Sequence, residues 1–180
     1  MIAAPPALTV RAAVPDDVPA LERLIEASAR GLSHGHYSAA QVEAVAHVFG
    51  IDSELIADGT YLVAEVGHDI TGCGGWSRWR TLFGRDRFAG RAGGLLDPAI
   101  DAARIRAFFV APGHARRGIG QALLAACEEA ARAAGFRRLA LMATLPGEAF
   151  YRAAGYIADP AIAVEVGDIS IPFVPMRKNR

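Results

Sequence analysis

Seven stretches of the chain combine apolar residues with the short, turn-bounded pattern of β-strands. They are residues 8–11, 60–65, 70–77, 103–110, 138–143, 161–166 and 169–176. Gly67-His68-Asp69 and Gly167-Asp168 are typical of tight turns, so the strands that flank each of them are expected to form hairpins. Pro172 predicts an edge position or a bulge in the last strand, because proline cannot donate a ladder hydrogen bond.

Apolar residues spaced three and four apart predict four helices between these strands. The first follows Pro15-Asp16-Asp17, and the second follows Ser38, whose hydroxyl suits a helix N-cap and whose helix would carry Val42, Val45 and Phe49. The third runs from about residue 118 to 134, and the fourth runs from about 146 to 153.

The order of these elements predicts an α/β (α+β) protein. Two helices follow the first strand, three strands come next, and a helix, a strand and a helix precede the final hairpin. Such an order suits a mixed, mostly antiparallel central sheet of about seven strands with helices on both faces. Residues 78–100 hold five arginines and are expected to form a long loop.

Composition restricts the class of protein further. The 180 residues suit a single domain spanning 1–180, and 52% of them are apolar, which is enough for a sizeable core. The formal charge is zero, which argues against nucleic acid as a partner. The two cysteines form no zinc or disulfide pattern, so no metal is expected. Without a membrane span or a signal peptide in the sequence, we expect a cytoplasmic protein.

The candidate chemistry lies where the third helix begins. Arg116 and Arg117 precede Gly118, and Gly120 follows it after one residue. The unpaired N–H groups of a helix N-terminus carry about half a positive charge, and glycine lets an anion approach them closely. The stretch therefore predicts a site for a phosphate or a diphosphate, although a helix that merely starts at a glycine would look similar.

Two other phosphate-binding motifs fail at particular residues. A Walker loop needs lysine and a hydroxyl residue after its second glycine, but Ile119 and Gly120 follow Gly118. A dinucleotide fingerprint needs a third glycine, and Leu123 stands at that position.

The same stretch resembles the motif Gln/Arg-x-x-Gly-x-Gly/Ala of the GNAT superfamily of acyl-CoA-dependent N-acyltransferases. Gly118 and Gly120 match the small positions, whereas Ala115 departs from the Gln/Arg position. Downstream, the sequence from Ala149 to Tyr156 resembles the family segment Ala-x-x-Phe-Tyr-x-x-x-Gly-Phe/Tyr. Residues 174–178 also resemble the last strand of that family.

The resemblance implies a GNAT-like fold that binds acetyl-CoA as cosubstrate. The strands at 103–110 and 138–143 would be parallel and would separate at their carboxyl ends, where the pantetheine arm enters. The diphosphate would lie on the backbone of the glycine turn. The residues that the resemblance assigns to coenzyme binding are Phe108, Phe109, Val110, Arg116, Arg117, Gly118, Ile119, Gly120, Gln121 and Thr144. Thr144 replaces an asparagine common in the family.

The implied reaction is direct attack of a primary amine on the thioester in a ternary complex. The amine belongs to a small molecule or a peptide. Tyr151 aligns with the tyrosine that protonates the departing thiolate, and a backbone N–H near Phe109 or Val110 would bind the oxyanion. The same tyrosine could simply pack in the core. The general base stays open among four candidates, which are His34, His36, Glu54 and Asp101.

The acceptor side has two candidate walls. One is the segment from Trp76 to Phe83, whose arginines would favour a carboxylate-bearing amine unless Asp86, Asp97 and Asp101 neutralise them. The other is the loop that carries His34, His36 and Tyr37.

Three further questions stay open at the sequence level. A non-catalytic acyl-CoA-binding or regulatory domain is the alternative function, since Ala115 and Thr144 depart from the family pattern. An unrelated nucleotide-binding α/β protein is disfavoured by the failed fingerprints. A homodimer could form through an edge strand near the C-terminus.

Overall fold

The structure, a computed structural model, describes residues 7–33, 35–80 and 94–179. These residues form eight β-strands, five α-helices and two short 3₁₀ turns. The strands are β1 (Leu8–Ala12), β2 (Tyr61–Val66), β3 (Asp69–Ser77), β4 (Ala103–Val110), β5 (Arg138–Thr144), β6 (Ile157–Ala158), β7 (Ile162–Val166) and β8 (Ile169–Asn179). The helices are α1 (Val18–Gly31), α2 (Ala39–Val48), α3 (Ser53–Ala57), α4 (Ile119–Ala133) and α5 (Leu145–Ala153).

The eight strands form one mixed sheet in the order β1-β2-β3-β4-β5-β8-β6, with β7 also paired to β8. The β4–β5 pair is parallel, and every other neighbouring pair is antiparallel. The predicted fold class is therefore confirmed. The eighth strand is β6, whose two residues are too few to show an alternating pattern.

Helices cover both faces of this sheet, as predicted. Leu21 of α1 and Leu55 of α3 are buried with Phe109 of β4 on one face. Cys127 of α4 and Tyr151 of α5 are buried with the other face. Each face thus has its own apolar core, and truncation of a buried leucine such as Leu21 would cost about 2–5 kcal/mol of stability.

Strand β8 corrects the prediction made from Pro172. The strand is not at the edge of the sheet, because β5 pairs with one side of it and β6 and β7 pair with the other. Pairing with β5 ends at Phe173, so Pro172 is opposite only Ala163 of β7. The proline is therefore at a local edge inside a central strand, which explains why a missing N–H is tolerated there.

Helix α3 is a short element that the sequence pattern did not predict. It contains only Ser53–Ala57, and the Oδ1 of Asp52 accepts a hydrogen bond from the Leu55 N–H at its start (3.2 Å). Within the described ranges, no helix is both long and apolar enough to cross a bilayer.

Candidate active site

The central gap of the sheet lies between β4 and β5. These parallel strands pair only at Ala103 with Leu139 and at Arg104 with Ala140. From Ile105 onward the two strands diverge, so the β5-facing side of β4 has backbone groups without a strand partner. A gap of this kind accepts an extended ligand, because such backbone groups can hydrogen-bond to it.

A bulge interrupts β4 inside this gap. Cys73 of β3 pairs with Phe109 and Gly75 pairs with Arg106, so β4 holds one residue more than β3 over this stretch. Ala107, within the bulge, has a φ of 57°, which is uncommon for a residue with a side chain. Strained backbone of this kind costs about 1–3 kcal/mol and must be held by its surroundings.

The bulge reverses the alternation of side chains along β4. Ile105 faces α4 and α5, and regular alternation would turn Phe108 to the opposite face. Instead, Phe108 and Val110 pack on the α4 side, and Phe109 packs against α1 and α3. The three predicted β4 residues are therefore divided between the two faces of the sheet.

The turn before α4 has the backbone of an anion site. Arg116 and Gly118 have φ values of 64° and 82°, and α4 begins at Ile119. The N–H of Ala122 donates to the carbonyl of Gly118 (2.9 Å), so the N–H groups just before it, in the first helical turn, have no acceptor within the helix. Arg116 and Arg117 are exposed beside these donors.

Gly120 is at a position where a side chain would be in tight contact with its neighbours. A Cβ on Gly120 would lie 3.3 Å from Cζ of Phe150 and 3.8 Å from Cγ2 of Val110. The first turn of α4 is therefore in close contact with α5 and with the end of β4. Free amides, a left-handed turn and two arginines fit a diphosphate at this position.

Tyr151 is buried beneath the gap, with 9% of its surface exposed. Its ring makes edge-to-face contacts with Phe108, Phe150 and Tyr156, at centroid distances of 6.3, 4.9 and 5.7 Å. Burial raises the pKa of its hydroxyl well above the ordinary value of 10. The tyrosine is thus a core residue, and it stays protonated throughout the neutral range.

Thr144 is on the opposite side of the gap, at the end of β5. It is the N-cap residue of α5, and its Oγ1 is 3.2 Å from the position of a Cβ on Gly147. The predicted coenzyme residues are therefore in the second half of β4, in the turn that follows it and at the end of β5, on the two sides of the β4–β5 gap.

The loop between α1 and α2 contributes Tyr37 to the structure of this region. Its hydroxyl donates to the carbonyl of Pro172 (3.0 Å) and accepts from the N–H of Leu145 (2.9 Å). Tyr37 is 8% exposed, so little of its side chain is available to an acceptor. Its hydroxyl instead joins the loop to β8 and α5. His36 is exposed, and His34 is outside the described residues.

The other predicted acceptor wall is at the far end of β4. Trp76 is buried against Phe136, and Ser77 pairs with Arg104, whereas the coenzyme turn follows Val110. The indole N–H of Trp79 donates to Asp58 (2.9 Å). These tryptophans cover the core, while residues 81–83 and Asp86 are outside the described ranges.

Two of the predicted general bases, Asp101 and Glu54, are carboxylates within the described residues. Asp101 pairs with Arg80 (3.0 Å) and accepts from the N–H of Asp97 (2.9 Å). Arg80 is thus neutralised by an aspartate, as the alternative in the sequence allowed, whereas Arg78 lies over the ring of Trp76. Glu54 is half-buried in α3.

A buried ion pair near the gap has no counterpart in the sequence predictions. Asp52 and Arg106 form it, and their side chains are only 1% and 3% exposed. The two residues are far apart in the sequence, so no local pattern joins them. The one feature of the sequence that could have indicated this pair is Arg106 itself, a charged residue at a position of β4 that faces the core.

Among the residues that the structure describes, no group of three or more histidine, cysteine, aspartate or glutamate side chains is arranged to hold a metal ion. Both cysteines are buried and free. Burial raises the pKa of Cys73 to about 12 and also raises that of Cys127, so neither is poised to form a thiolate.

Solved structures share this fold over the full length of the chain. The GCN5-related N-acetyltransferase of Rhodopseudomonas palustris is 24% identical, with a TM-score of 0.71, and the match covers 100% of this chain and 99% of that one. The PaiA N-acetyltransferase of Thermoplasma acidophilum, solved with coenzyme A, is 15% identical, with a TM-score of 0.68 and coverage of 97% and 99%.

A third structure contains the acetylated coenzyme. A GNAT family acetyltransferase of Brucella melitensis in complex with acetyl-CoA is 22% identical, with a TM-score of 0.55 and coverage of 84% of each chain. At these identities, the likeness establishes the fold. No curated protein matches the sequence.

The sequence itself matches a family model. Residues 32–156 match the model of the acetyltransferase (GNAT) family, and this range includes the β4–β5 gap, the turn before α4 and Tyr151. The chain therefore belongs to the GNAT acetyltransferase family.

Proposed function

We propose that this protein is an N-acetyltransferase that transfers the acetyl group of acetyl-CoA to a primary amine of a small molecule or a peptide. The observation that carries the proposal is the opening between β4 and β5, which leads to the anion-binding turn at residues 116–121. Two family members of the same fold were solved with coenzyme A or acetyl-CoA, which supports this cosubstrate.

The backbone of the turn would bind the diphosphate of the coenzyme. The N–H groups from Gly118 to Gln121 point out of the start of α4, and Arg116 and Arg117 add positive charge. The pantetheine arm would then extend along β4 between Phe108 and Val110, with Thr144 on the other side of the gap. This arrangement would place the thioester near the bulge at Ala107.

The reaction we propose is direct attack of the neutral amine on the thioester carbonyl. A C–N bond forms, the C–S bond breaks, and the amine loses a proton to a base or to water, since a free alkyl amine has a pKa of about 10. A backbone N–H near Phe109 or Val110 would stabilise the oxyanion. An acyl-cysteine step is not required, because the raised pKa values of Cys73 and Cys127 make both thiols poor nucleophiles.

Tyr151 would donate its proton to the departing sulfur. Its buried hydroxyl stays protonated at neutral pH because burial raises its pKa. The position of its ring against Phe108 connects it to the strand that would hold the coenzyme. The proton that it loses would be regained from solvent before the next turnover.

Two measurements on the same preparation test the proposal. Acetyl-CoA at about 100 times its dissociation constant should stabilise the protein against heat by about 2.7 kcal/mol. Release of free thiol should then occur with some members of a panel of primary amines. Absence of a thermal shift at millimolar acetyl-CoA would contradict the proposal. Binding without thiol release from any amine would instead identify the alternative, a non-catalytic acyl-CoA-binding domain.

A further inference from the structure

We infer that Asp52, Arg106 and Tyr61 are positioning residues for acyl transfer, because they hold the β4 bulge at Ala107 and so direct Phe108 against Tyr151. We call these three residues the bulge-anchoring cluster. The inference rests on the proposed function for its catalytic consequence, but the conformational part stands on contacts within the protein.

The first part of the cluster is the ion pair. Arg106 immediately precedes the strained residue Ala107, and its guanidinium pairs with the carboxylate of Asp52 in the core. Asp52 is fixed in turn, because its Oδ1 caps α3 through the N–H of Leu55. The backbone on the N-terminal side of the bulge is thereby joined to a helix on the α1 face of the sheet.

The second part is the hydroxyl of Tyr61. Its oxygen is 3.4 Å from the carbonyl oxygen of Ala107 and 3.2 Å from Sγ of Cys73. Burial raises the pKa of Tyr61, so its hydroxyl remains a donor. The carbonyl of the strained residue thus has a hydroxyl donor from β2, on the far side of β3, which favours the left-handed conformation over a regular strand.

The consequence of the bulge is visible at Phe108. Its ring lies against Gly74, where a Cβ would be 2.6 Å from the ring, and it contacts Tyr151 edge to face. Without the extra residue in β4, side-chain alternation would turn Phe108 away from this face. The bulge-anchoring cluster therefore acts on Tyr151 and on the coenzyme strand through Phe108.

A buried ion pair is weak evidence for stability, since removal of two charges from water offsets much of their attraction. We therefore assign Asp52 and Arg106 a role in selecting the conformation of the bulge and not in raising the overall stability of the fold. Asp52 does not serve as the general base in this account, because its carboxylate is engaged by Arg106 and by the N–H of Leu55.

The experiment compares two variants of the cluster with a control of the same core. Asp52→Asn removes the charge that faces Arg106, and Tyr61→Phe removes only the hydroxyl, so the second variant is informative even if the first does not fold. Leu21→Ala destabilises the same apolar core through α1 but removes none of the polar groups of the bulge-anchoring cluster. Each is measured for kcat, for KM of acetyl-CoA and for the ¹³C shifts of Ala107.

The expected result is a selective loss of kcat. Displacement of reacting groups by about 1 Å lowers kcat by about 100-fold, which we expect for Asp52→Asn. Loss of one hydrogen bond in Tyr61→Phe should lower kcat by about three- to tenfold. KM for acetyl-CoA should change by less than about threefold in both, and the Ala107 shifts should move toward those of a regular strand. In Leu21→Ala, the kcat of the folded enzyme and the ¹³C chemical shifts of Ala107 should be unchanged.

A rescue variant separates positioning from a general loss of structure. Glycine adopts positive φ without cost, so Ala107→Gly added to Tyr61→Phe should restore most of the lost kcat. Unchanged Ala107 shifts and unchanged kcat in both cluster variants would overturn the inference, as would an equal loss of kcat in Leu21→Ala. If the wild-type enzyme acetylates no amine, the proposed function fails, but the Ala107 shifts and the Phe108–Tyr151 ring contacts still decide whether the cluster holds the bulge.

Discussion

The two sides of the β4–β5 gap are built in different ways. On the side that we propose for the coenzyme, a continuous stretch from Val110 to Gln121 provides a left-handed turn, free amides and two arginines. On the side that we propose for the amine, the contacts come from distant segments, such as Tyr37 in the loop after α1, whose hydroxyl contacts Pro172 and Leu145. A site made mostly of backbone depends on a short local pattern, whereas a site made of side chains depends on which segments the fold brings together.

The largest effect should follow from blocking the first turn of α4, where we propose that the diphosphate binds. Gly120→Glu adds a side chain where a Cβ already approaches Phe150 to 3.3 Å, and it adds a negative charge beside the expected diphosphate. We expect the stabilisation by acetyl-CoA, about 2.7 kcal/mol at 100 times the dissociation constant, to disappear. Thermal denaturation with and without acetyl-CoA measures this.

Gly113→Glu is the matched control. It brings the same charge to the same connection between β4 and α4, but a Cβ at Gly113 would meet nothing within 4 Å. A retained thermal shift in Gly113→Glu and a lost one in Gly120→Glu would support a site at the start of α4. Equal shifts in both would place the coenzyme elsewhere.

The next largest effect should come from Tyr151→Phe. Removal of a general acid lowers turnover by about 10²- to 10⁴-fold, while affinity for coenzyme A should hardly change because the ring stays in place. Tyr156→Phe removes the hydroxyl of a neighbouring buried tyrosine and should leave kcat within about threefold. If the two variants have equal kcat values, Tyr151 is not the acid.

The pH profile offers a second check on the same residue. Because the pKa of Tyr151 is raised above its ordinary value of 10, the hydroxyl keeps its proton up to at least that pH. Activity should therefore rise with pH as the amine deprotonates. No decline in activity is expected at any pH lower than about 10. A decline in kcat at pH 8 to 9 that is absent from Tyr151→Phe would contradict the raised pKa.

Much of the fold followed from the sequence because its elements are periodic and long. The strand at Ala103–Val110 and the helix at Ile119–Ala133 are examples, and their boundaries differ from the predicted ones by one residue at most. Helix α3 and strand β6 escaped prediction because five and two residues cannot display a period.

The sequence predicted only those parts of the candidate site that are formed by residues adjacent in the chain. The turn around Gly118 could be recognised from adjacent residues, since its backbone provides the donors. The pairing of Asp52 with Arg106 joins residues that only the folded sheet brings together. Tyr37 was predicted to line the acceptor pocket, but its hydroxyl bridges α5 and β8, and no local pattern encodes those partners.

A smaller effect should follow from loss of the arginines on the coenzyme side. Arg116 and Arg117 are exposed, so each charge contributes about 0.2–1 kcal/mol to binding. The double alanine variant should therefore bind coenzyme A about two- to thirtyfold more weakly, and the difference should shrink at high salt. Isothermal titration at two salt concentrations measures it.

Arg132→Ala provides the control for that variant, because Arg132 is exposed at the opposite end of the same helix. An equal loss of affinity in this control would indicate a general effect of net charge and would remove the two arginines from the site.

The smallest effect should come from Tyr37→Phe, on the side that we propose for the amine. Loss of the hydroxyl removes hydrogen bonds that join the loop after α1 to Leu145 and Pro172, at a cost of about 1–3 kcal/mol in stability. KM for the amine should rise a few-fold while KM for acetyl-CoA stays the same. A change in KM for acetyl-CoA alone would show that this loop belongs to the coenzyme side.

A crystal structure of the protein with coenzyme A tests the central claim most directly. The account predicts the diphosphate within about 2.7–3.2 Å of the N–H groups of Gly118 and Gly120, and the pantetheine arm between β4 and β5. A coenzyme bound elsewhere, with the turn before α4 free of its phosphates, would contradict it.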